Sequence, residues 1–231
     1  MPETSREPEI EAVKSDHDHG GTVTPPLSAR ELKTRQTVER ILAAAANLFL
    51  HRGYARTNLE EVAAEAGVTK PTVYSHFESK QGLFRALTQA KAKERIAEVS
   101  KVLQPTGDIR ADLIRFGELL LSKVLDSEAR LWDRLAAAES LTHPEVGEAF
   151  FQAGPAMVLE KLSEFLRQEK RLGRLSIPSP ERGADQLIGM LLCLDLLRSQ
   201  VGQPTLAPNQ RRRRCREAVD VFLAAYGVES S

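Results

Sequence analysis

Apolar residues recur at three- and four-residue spacing from Arg30 onward. Val38, Ile41, Leu42, Ala45, Leu48 and Phe49 form one stripe, which predicts a helix ending near His51, before Gly53. Asn58, with Glu61 three residues on, has the spacing of a reciprocal capping box, and Leu59, Val62, Ala63 and Ala66 give the following short helix one apolar face. Gly67 suits the left-handed position past that helix, Val68 is the apolar plug of the turn, and Thr69 caps a third helix that opens on Lys70-Pro71 and runs to about Phe77. A connection of about three residues between two such helices is a helix-turn-helix. Ser79 caps a long fourth helix through Leu83, Leu87, Ala90 and Ala97 to about Leu103, where Gln104-Pro105-Thr106-Gly107 breaks it. Further helices are predicted over Asp108 to Asp126, Ser127 to Leu141, Glu145 to Gly173 with a break at Gly154-Pro155, Pro180 to Val201, and Asn209 to Tyr226. No strand pattern and no internal repeat interrupts them, so the expected class is all-α.

Composition agrees: aromatic content is 5%, and the long stretches rich in Ala, Leu, Glu and Arg are helix formers. No stretch approaches the ~18 uninterrupted apolar residues of a bilayer span, and the acidic start lacks the apolar run of a signal peptide, so a cytoplasmic protein without a membrane partner is expected. Cys193 and Cys215 have no Cys or His partner at ligand spacing, and His17 and His19 flank Asp18 on a segment too polar to hold a closed site, so neither metal nor cofactor is expected. Residues 1–29 read as a disordered tail. The formal net charge is zero but unevenly spread: 2 basic against 6 acidic side chains over residues 1–29, 13 against 8 over 30–103, and 17 against 18 over 104–231. The middle segment can therefore face phosphate.

Chemistry concentrates on the third helix. Val73 and Phe77 lie four apart and turn inward, leaving a polar flank on a two-turn helix narrow enough for the major groove, which is about 12 Å wide. Lys70, Pro71, Thr72 and Ser75 are the candidate base-reading residues, Lys70 towards guanine and Pro71 or Thr72 towards a thymine methyl. Thr57, Asn58, Tyr74, His76 and Lys80 are the candidate phosphate contacts around them. Thr57 and Asn58 read equally as helix caps, and His76 as a spacer against the fourth helix. Arg30, Lys33 and Arg35 read either as an arm into the minor groove or as a solvated helix start.

Gly53-Tyr54, the run from Thr57 to Ala63, and Ala66 through Phe77 with Ser79-Lys80 resemble the tetracycline-repressor (TetR) family of regulators over roughly residues 35 to 85. The stretch from Leu131 through Gly154-Pro155 to Tyr226-Gly227 looks like the AefR-type ligand domain of that family. The resemblance implies a helix-turn-helix DNA-binding domain over 30–78, a connecting helix over 79–103, and a ligand-binding and dimerisation domain over 104–231. It also implies a ligand-responsive repressor that binds a palindromic double-stranded operator as a homodimer and is released by a small apolar effector. Phe116, Trp132, Leu135, Phe151 and Met157 are the candidate pocket residues, a set that equally describes a packed core. Leu187, Leu191, Leu194, Val219, Phe222 and Tyr226 are the candidate dimer interface, with a monomer's own core as the competing reading. Phosphate-cradling Gly loops, His-Glu-x-x-His spacing and Gly-x-Ser-x-Gly elbows are absent, which argues against an enzyme. An enzyme with a spatially assembled triad, or a helical interaction protein without sequence-specific DNA contact, is the alternative.

Overall fold

The computed structural model describes residues 28–228, and the expected tail over 1–27 lies outside the described residues. Ser28 and Ala29, assigned to that tail by sequence, instead open the first helix: the Ser28 hydroxyl accepts from Glu31 N–H, and the Glu31 carboxylate accepts from Ser28 N–H. The helices are α1 (Ala29–Arg52), α2 (Leu59–Ala66), α3 (Lys70–Phe77), α4 (Lys80–Val102), α5 (Ile109–Val124), α6 (Ser127–Glu139), α7 (Pro144–Ala153), α8 (Pro155–Arg171), α9 (Pro180–Gln200) and α10 (Pro208–Tyr226). Among the described residues the β contribution is one isolated antiparallel bridge between Leu175 and Gly227, so the fold is all-α.

Local signals place these boundaries. Asn58 and Glu61 close the capping box of α2, Gly67 takes φ 63° and ψ 40° at its end, and the Thr69 hydroxyl accepts from Thr72 N–H to start α3. Asp108 and Asp126 cap α5 and α6 through their carboxylates. Each such cap satisfies a helix-end N–H that would otherwise need water and contributes about 1 kcal/mol.

Two apolar clusters hold the helices together, and they do not divide at the end of the fourth helix. The first joins Ile41, Phe49, Val62, Val73 and Phe77 of α1–α3 and Leu83, Phe84 and Leu87 of α4 to Trp132 and Ala136 of α6 and Val146 and Ala149 of α7. The second joins Val99 at the far end of α4 to Leu113, Phe116 and Leu121 of α5, Leu162 and Phe165 of α8, Leu187 and Leu191 of α9, and Val219 and Phe222 of α10. One helix, α4, therefore belongs to both cores, and the helix-turn-helix is joined to α6 and α7 through α1 and α4 rather than standing free.

Several sequence expectations are corrected by this packing. Leu187, Leu191, Val219 and Phe222 are fully buried within the protomer and cannot form an outer face. The inward ladder of α9 steps by four from Leu187 and Leu191 to Asp195 and Ser199, across a non-helical Cys193 (φ 43°, ψ −135°), so that Leu194 points outward and is 57% exposed. Buried Asp195 is neutralised by Arg198 at 3.4 Å and Arg214 at 2.8 Å, which gives one member of the Arg211–Arg214 run a structural task. Tyr226 is half-buried and its hydroxyl donates to the Gln186 side chain at 2.8 Å. The expected pocket residues are not gathered around one space: Phe116 lies in the second cluster, Trp132 and Leu135 belong to the first, and Phe151 and Met157 are exposed.

Asp133 on α6 is half-buried, and loss of solvent raises its carboxyl pKa to about 6, with Arg95 acting the other way. A carboxyl raised in the folded state binds more protons folded than unfolded between about pH 4 and 6, so it lowers stability as pH rises through that window. Asp133→Asn is expected to flatten this fall and to stabilise the protein at pH 7 by about 1–2 kcal/mol, after allowance for solvent screening. Urea unfolding at pH 4.5 and pH 7 measures both effects.

Candidate nucleic-acid interface

The short third helix presents its polar flank because its other side is anchored. Val73 and Phe77 are buried in the first cluster, while Lys70, Pro71, Tyr74, Ser75 and His76 are exposed and Thr72 is half-exposed. Thr69 and Thr72 hydroxyls are 2.8 Å apart, and Ser75 Oγ donates to the Thr72 carbonyl at 2.9 Å, which fixes both rotamers while leaving oxygen lone pairs open. Lys70 is ion-paired with Glu60 of α2, and its ammonium lies 5.7 Å from the Tyr74 ring centroid. The pairing raises the Lys70 pKa and lowers that of Glu60. Beside α3, an open cleft of about 450 Å³ runs between Arg30, Lys33, Thr34 and Thr37 of α1 and Thr72 and His76 of α3.

Two expected phosphate contacts are spent internally. Thr57 is only 2% exposed, and its hydroxyl donates to the Gly53 carbonyl at 2.9 Å. The Lys80 ammonium donates to the carbonyls of Tyr54 (2.9 Å), Ala55 (3.1 Å) and Thr57 (3.1 Å), and it stands 4.4 Å from the Tyr54 ring centroid. An ammonium has three protons, and all three are used. Burial pushes its pKa below the usual lysine value, opposed by the charges of Glu139 and Glu145. Lys80 thus ties α4 to the α1–α2 turn. Asn58 remains exposed, its Oδ1 accepting from Glu61 N–H at 2.9 Å, which leaves its amide NH₂ free to donate.

Tyr54 and His143, which sequence reasoning left without a role, complete this turn with Glu139, which the sequence offered instead as a polar anchor of the effector pocket. Tyr54 is buried against Phe49 and Phe84, with ring centroids 5.5 and 5.4 Å away, and His143 of the α6–α7 turn meets it edge-on at 5.2 Å. Burial, with the charges of Glu145 and Glu139, raises the Tyr54 pKa to about 12. Its N–H donates to Glu139 Oε1 at 2.8 Å, and a Cβ on the neighbouring Gly53 would lie 2.7 Å from that same oxygen. Gly53 also sits at φ 85°, where a side chain is disfavoured. The signal for this contact was the Gly53-Tyr54 pair itself; its partner, 85 residues on, has no local signature.

The turn from α3 into α4 is equally constrained. Glu78 adopts φ 62° and ψ −39°, and Ser79 N–H donates to the Phe77 carbonyl only two residues back, at 2.6 Å. This is a strained three-residue turn. Gly82 lies directly above it: a Cβ there would fall 2.1 Å from the Phe77 carbonyl oxygen. The angle between α3 and α4 therefore depends on a missing side chain.

Residues 41–87 match the family model described as bacterial regulatory proteins, tetR family, and residues 111–228 match that of the AefR-like transcriptional repressor, C-terminal domain. The chain belongs to the TetR family of transcriptional regulators. The members it matches are regulators and not enzymes. YvkB of Bacillus subtilis, an uncharacterized HTH-type transcriptional regulator, is 36% identical over 91 residues, covering 39% of this chain and 46% of YvkB. The aligned part thus spans less than half of that relative. A TetR-family transcriptional regulator of Mesorhizobium loti superposes with a TM-score of 0.76 at 26% identity, covering 85% of this chain and 99% of the other. SmeT of Stenotrophomonas maltophilia, solved with triclosan, superposes with a TM-score of 0.61 at 26% identity, covering 84% of this chain and 93% of SmeT. No helix among the described residues is long and apolar enough to cross a membrane.

Proposed function

We propose that this TetR-family regulator is a ligand-responsive repressor that binds a palindromic operator as a homodimer and is released by a small apolar molecule. The observation that carries the reading is α3: a two-turn helix whose buried Val73 and Phe77 leave Lys70, Pro71, Ser75, Tyr74 and His76 facing out. Lys70, Pro71, Thr72 and Ser75 read bases. Asn58, Tyr74 and His76 hold phosphates, together with Arg30 and Lys33 across the cleft. Thr57 and Lys80 shape the head from within.

A single short helix reads too few base pairs for useful specificity, whereas two related by a dyad read half-sites about 34 Å apart. The surface that supports pairing lies outside the protomer core: Leu194, Leu197 and Val201 of α9 and its end, and Val221 of α10, are all more than half exposed. Val221 also lines, with Met190, Cys193 and Ala225, a shallow groove of about 560 Å³ between α9 and α10. Leu194→Asp combined with Leu197→Asp is expected to leave a monomer by sedimentation and to weaken operator binding by about 100-fold or more, since the second head would no longer be tethered.

Release follows from how the head is held. An effector that favours a different placement of α6 and α7 acts on the helix-turn-helix by two routes. One is α4, which belongs to both apolar clusters; the other is the Glu139 carboxylate on Tyr54 N–H. The triclosan complex of SmeT supports an apolar aromatic effector as the class to screen first. Selection of bound duplexes from a random library tests the reading. A symmetric consensus is expected, and failure to retain any duplex at low ionic strength sinks it.

A further inference from the structure

We propose that Glu60 is a specificity-determining residue of the DNA head, holding Lys70 back from indiscriminate contact with backbone phosphate. The inference rests on the DNA-binding reading above and concerns an acidic side chain, which a nucleic-acid surface ordinarily excludes.

Glu60 stands in the first turn of α2 and Lys70 in the first turn of α3, so their ion pair crosses the helix-turn-helix at the edge of its exposed flank. Both side chains are about half exposed, at 58% and 49%. The pair is therefore open to water and to an approaching duplex, and it is not a buried element of the fold. The other acidic residues of α2 have different tasks: Glu61 closes the capping box and pairs with Arg52 at 2.9 Å, and Glu65 accepts from the Asn47 amide at 2.6 Å. Glu60 is the one directed at the recognition helix. On the other side Lys70 leans on the Tyr74 ring, so its ammonium is held between a carboxylate and an aromatic face.

The consequence is a threshold. When the head lies on arbitrary DNA, Lys70 must leave Glu60 to reach phosphate, and the carboxylate left behind faces a polyanion without its counter-charge. The exchange returns little. At the operator, Lys70 obtains the two acceptors of a guanine edge, O6 and N7, which a phosphate in the wrong register does not match. Glu60 thus subtracts from every complex but is offset only where Lys70 finds its base. Sequence discrimination gains from the withheld electrostatic attraction, because non-specific affinity is almost wholly electrostatic.

The test measures binding of the full chain to a selected operator duplex and to a scrambled duplex of equal length, by fluorescence anisotropy over a salt series. Glu60→Gln keeps the side-chain size and removes the charge. It is expected to strengthen scrambled-duplex binding about tenfold and to steepen its salt dependence by about one ion, while operator binding improves by less, so that the ratio of the two affinities falls. In a Lys70→Gln background the same substitution is expected to do much less. Unchanged scrambled-duplex affinity in Glu60→Gln overturns the proposal, as does an equal gain with and without Lys70, which would reveal plain repulsion instead of restraint of Lys70. Glu60→Ala serves as a second variant, with helix content by circular dichroism checked for each. If the unaltered chain binds neither duplex, the DNA reading itself fails; if it binds and Glu60→Gln binds no better, only the role of Glu60 falls.

Discussion

Gly82→Ala should abolish operator binding while leaving most of the helical content in place. The added Cβ would lie 2.1 Å from the Phe77 carbonyl oxygen, and 3.3 Å from the Phe77 carbonyl carbon, so the obstacle is backbone and cannot swing away like a side-chain end. Phe77 is the last residue of α3, and its ring is buried in the first cluster. The carbonyl is further fixed by Ser79 N–H at 2.6 Å in a turn where Glu78 already sits at φ 62°. Relief requires the Gly82 and Phe77 backbones to separate by about 1 Å, which costs about 1–3 kcal/mol as overpacking and tilts the reading helix away from its groove geometry. The expected result is a folded protein with a lowered melting temperature and no detectable operator shift. Wild-type affinity in Gly82→Ala would mean that the α3–α4 angle is not what positions the reading helix.

Lys80→Met should lower stability by about 2 kcal/mol yet leave the salt slope of DNA binding as it was. The substitution retains the apolar stem but removes three charge-assisted donors; the carbonyls of Ala55 and Thr57 lose their ammonium partner, and that of Tyr54 keeps only the Thr57 N–H at 3.3 Å. A lysine at the start of α4 would suit phosphate on sequence grounds, and a phosphate contact would reduce the slope of log affinity against log salt by about one when lost. The structure instead puts the ammonium at the α1–α2 turn, so the loss is read in denaturant unfolding and in protection of the Tyr54 and Thr57 amides from exchange. A slope lower by one with unchanged stability would return Lys80 to the phosphate group.

The helix-turn-helix was legible because every signal that defines it is local. Asn58 and Glu61, Gly67, Thr69 and Ser79 each act within four residues, through a single hydrogen bond or one backbone conformation. Val73 and Phe77 point inward because a helix repeats every 3.6 residues, so the exposed set on α3 needed no partner to be deduced. Lys80 was misassigned for the opposite reason, whereas the Thr57 hydroxyl had a local choice between an outside acceptor and the Gly53 carbonyl four residues back. Polar residues near a helix start serve phosphate or protein carbonyls equally well, and which of these is nearer depends on a turn 23 to 26 residues earlier in the chain.

Sequence alone thus determined the helix order, the caps of α2, α3 and α4, and the polar and apolar sides of the reading helix, since these follow from neighbours along the chain. Tertiary structure alone decided which apolar side chains of α9 face a core and which face outward. The ninth helix is apolar on several sides, and only packing against α5, α8 and α10 selects Leu187 and Leu191 for the interior and leaves Leu194 and Leu197 outside. It also decided that Glu139 reaches Tyr54 and that Glu60 reaches Lys70, because hydrogen bonds and ion pairs between separate helices depend on how those helices cross, which no local spacing encodes.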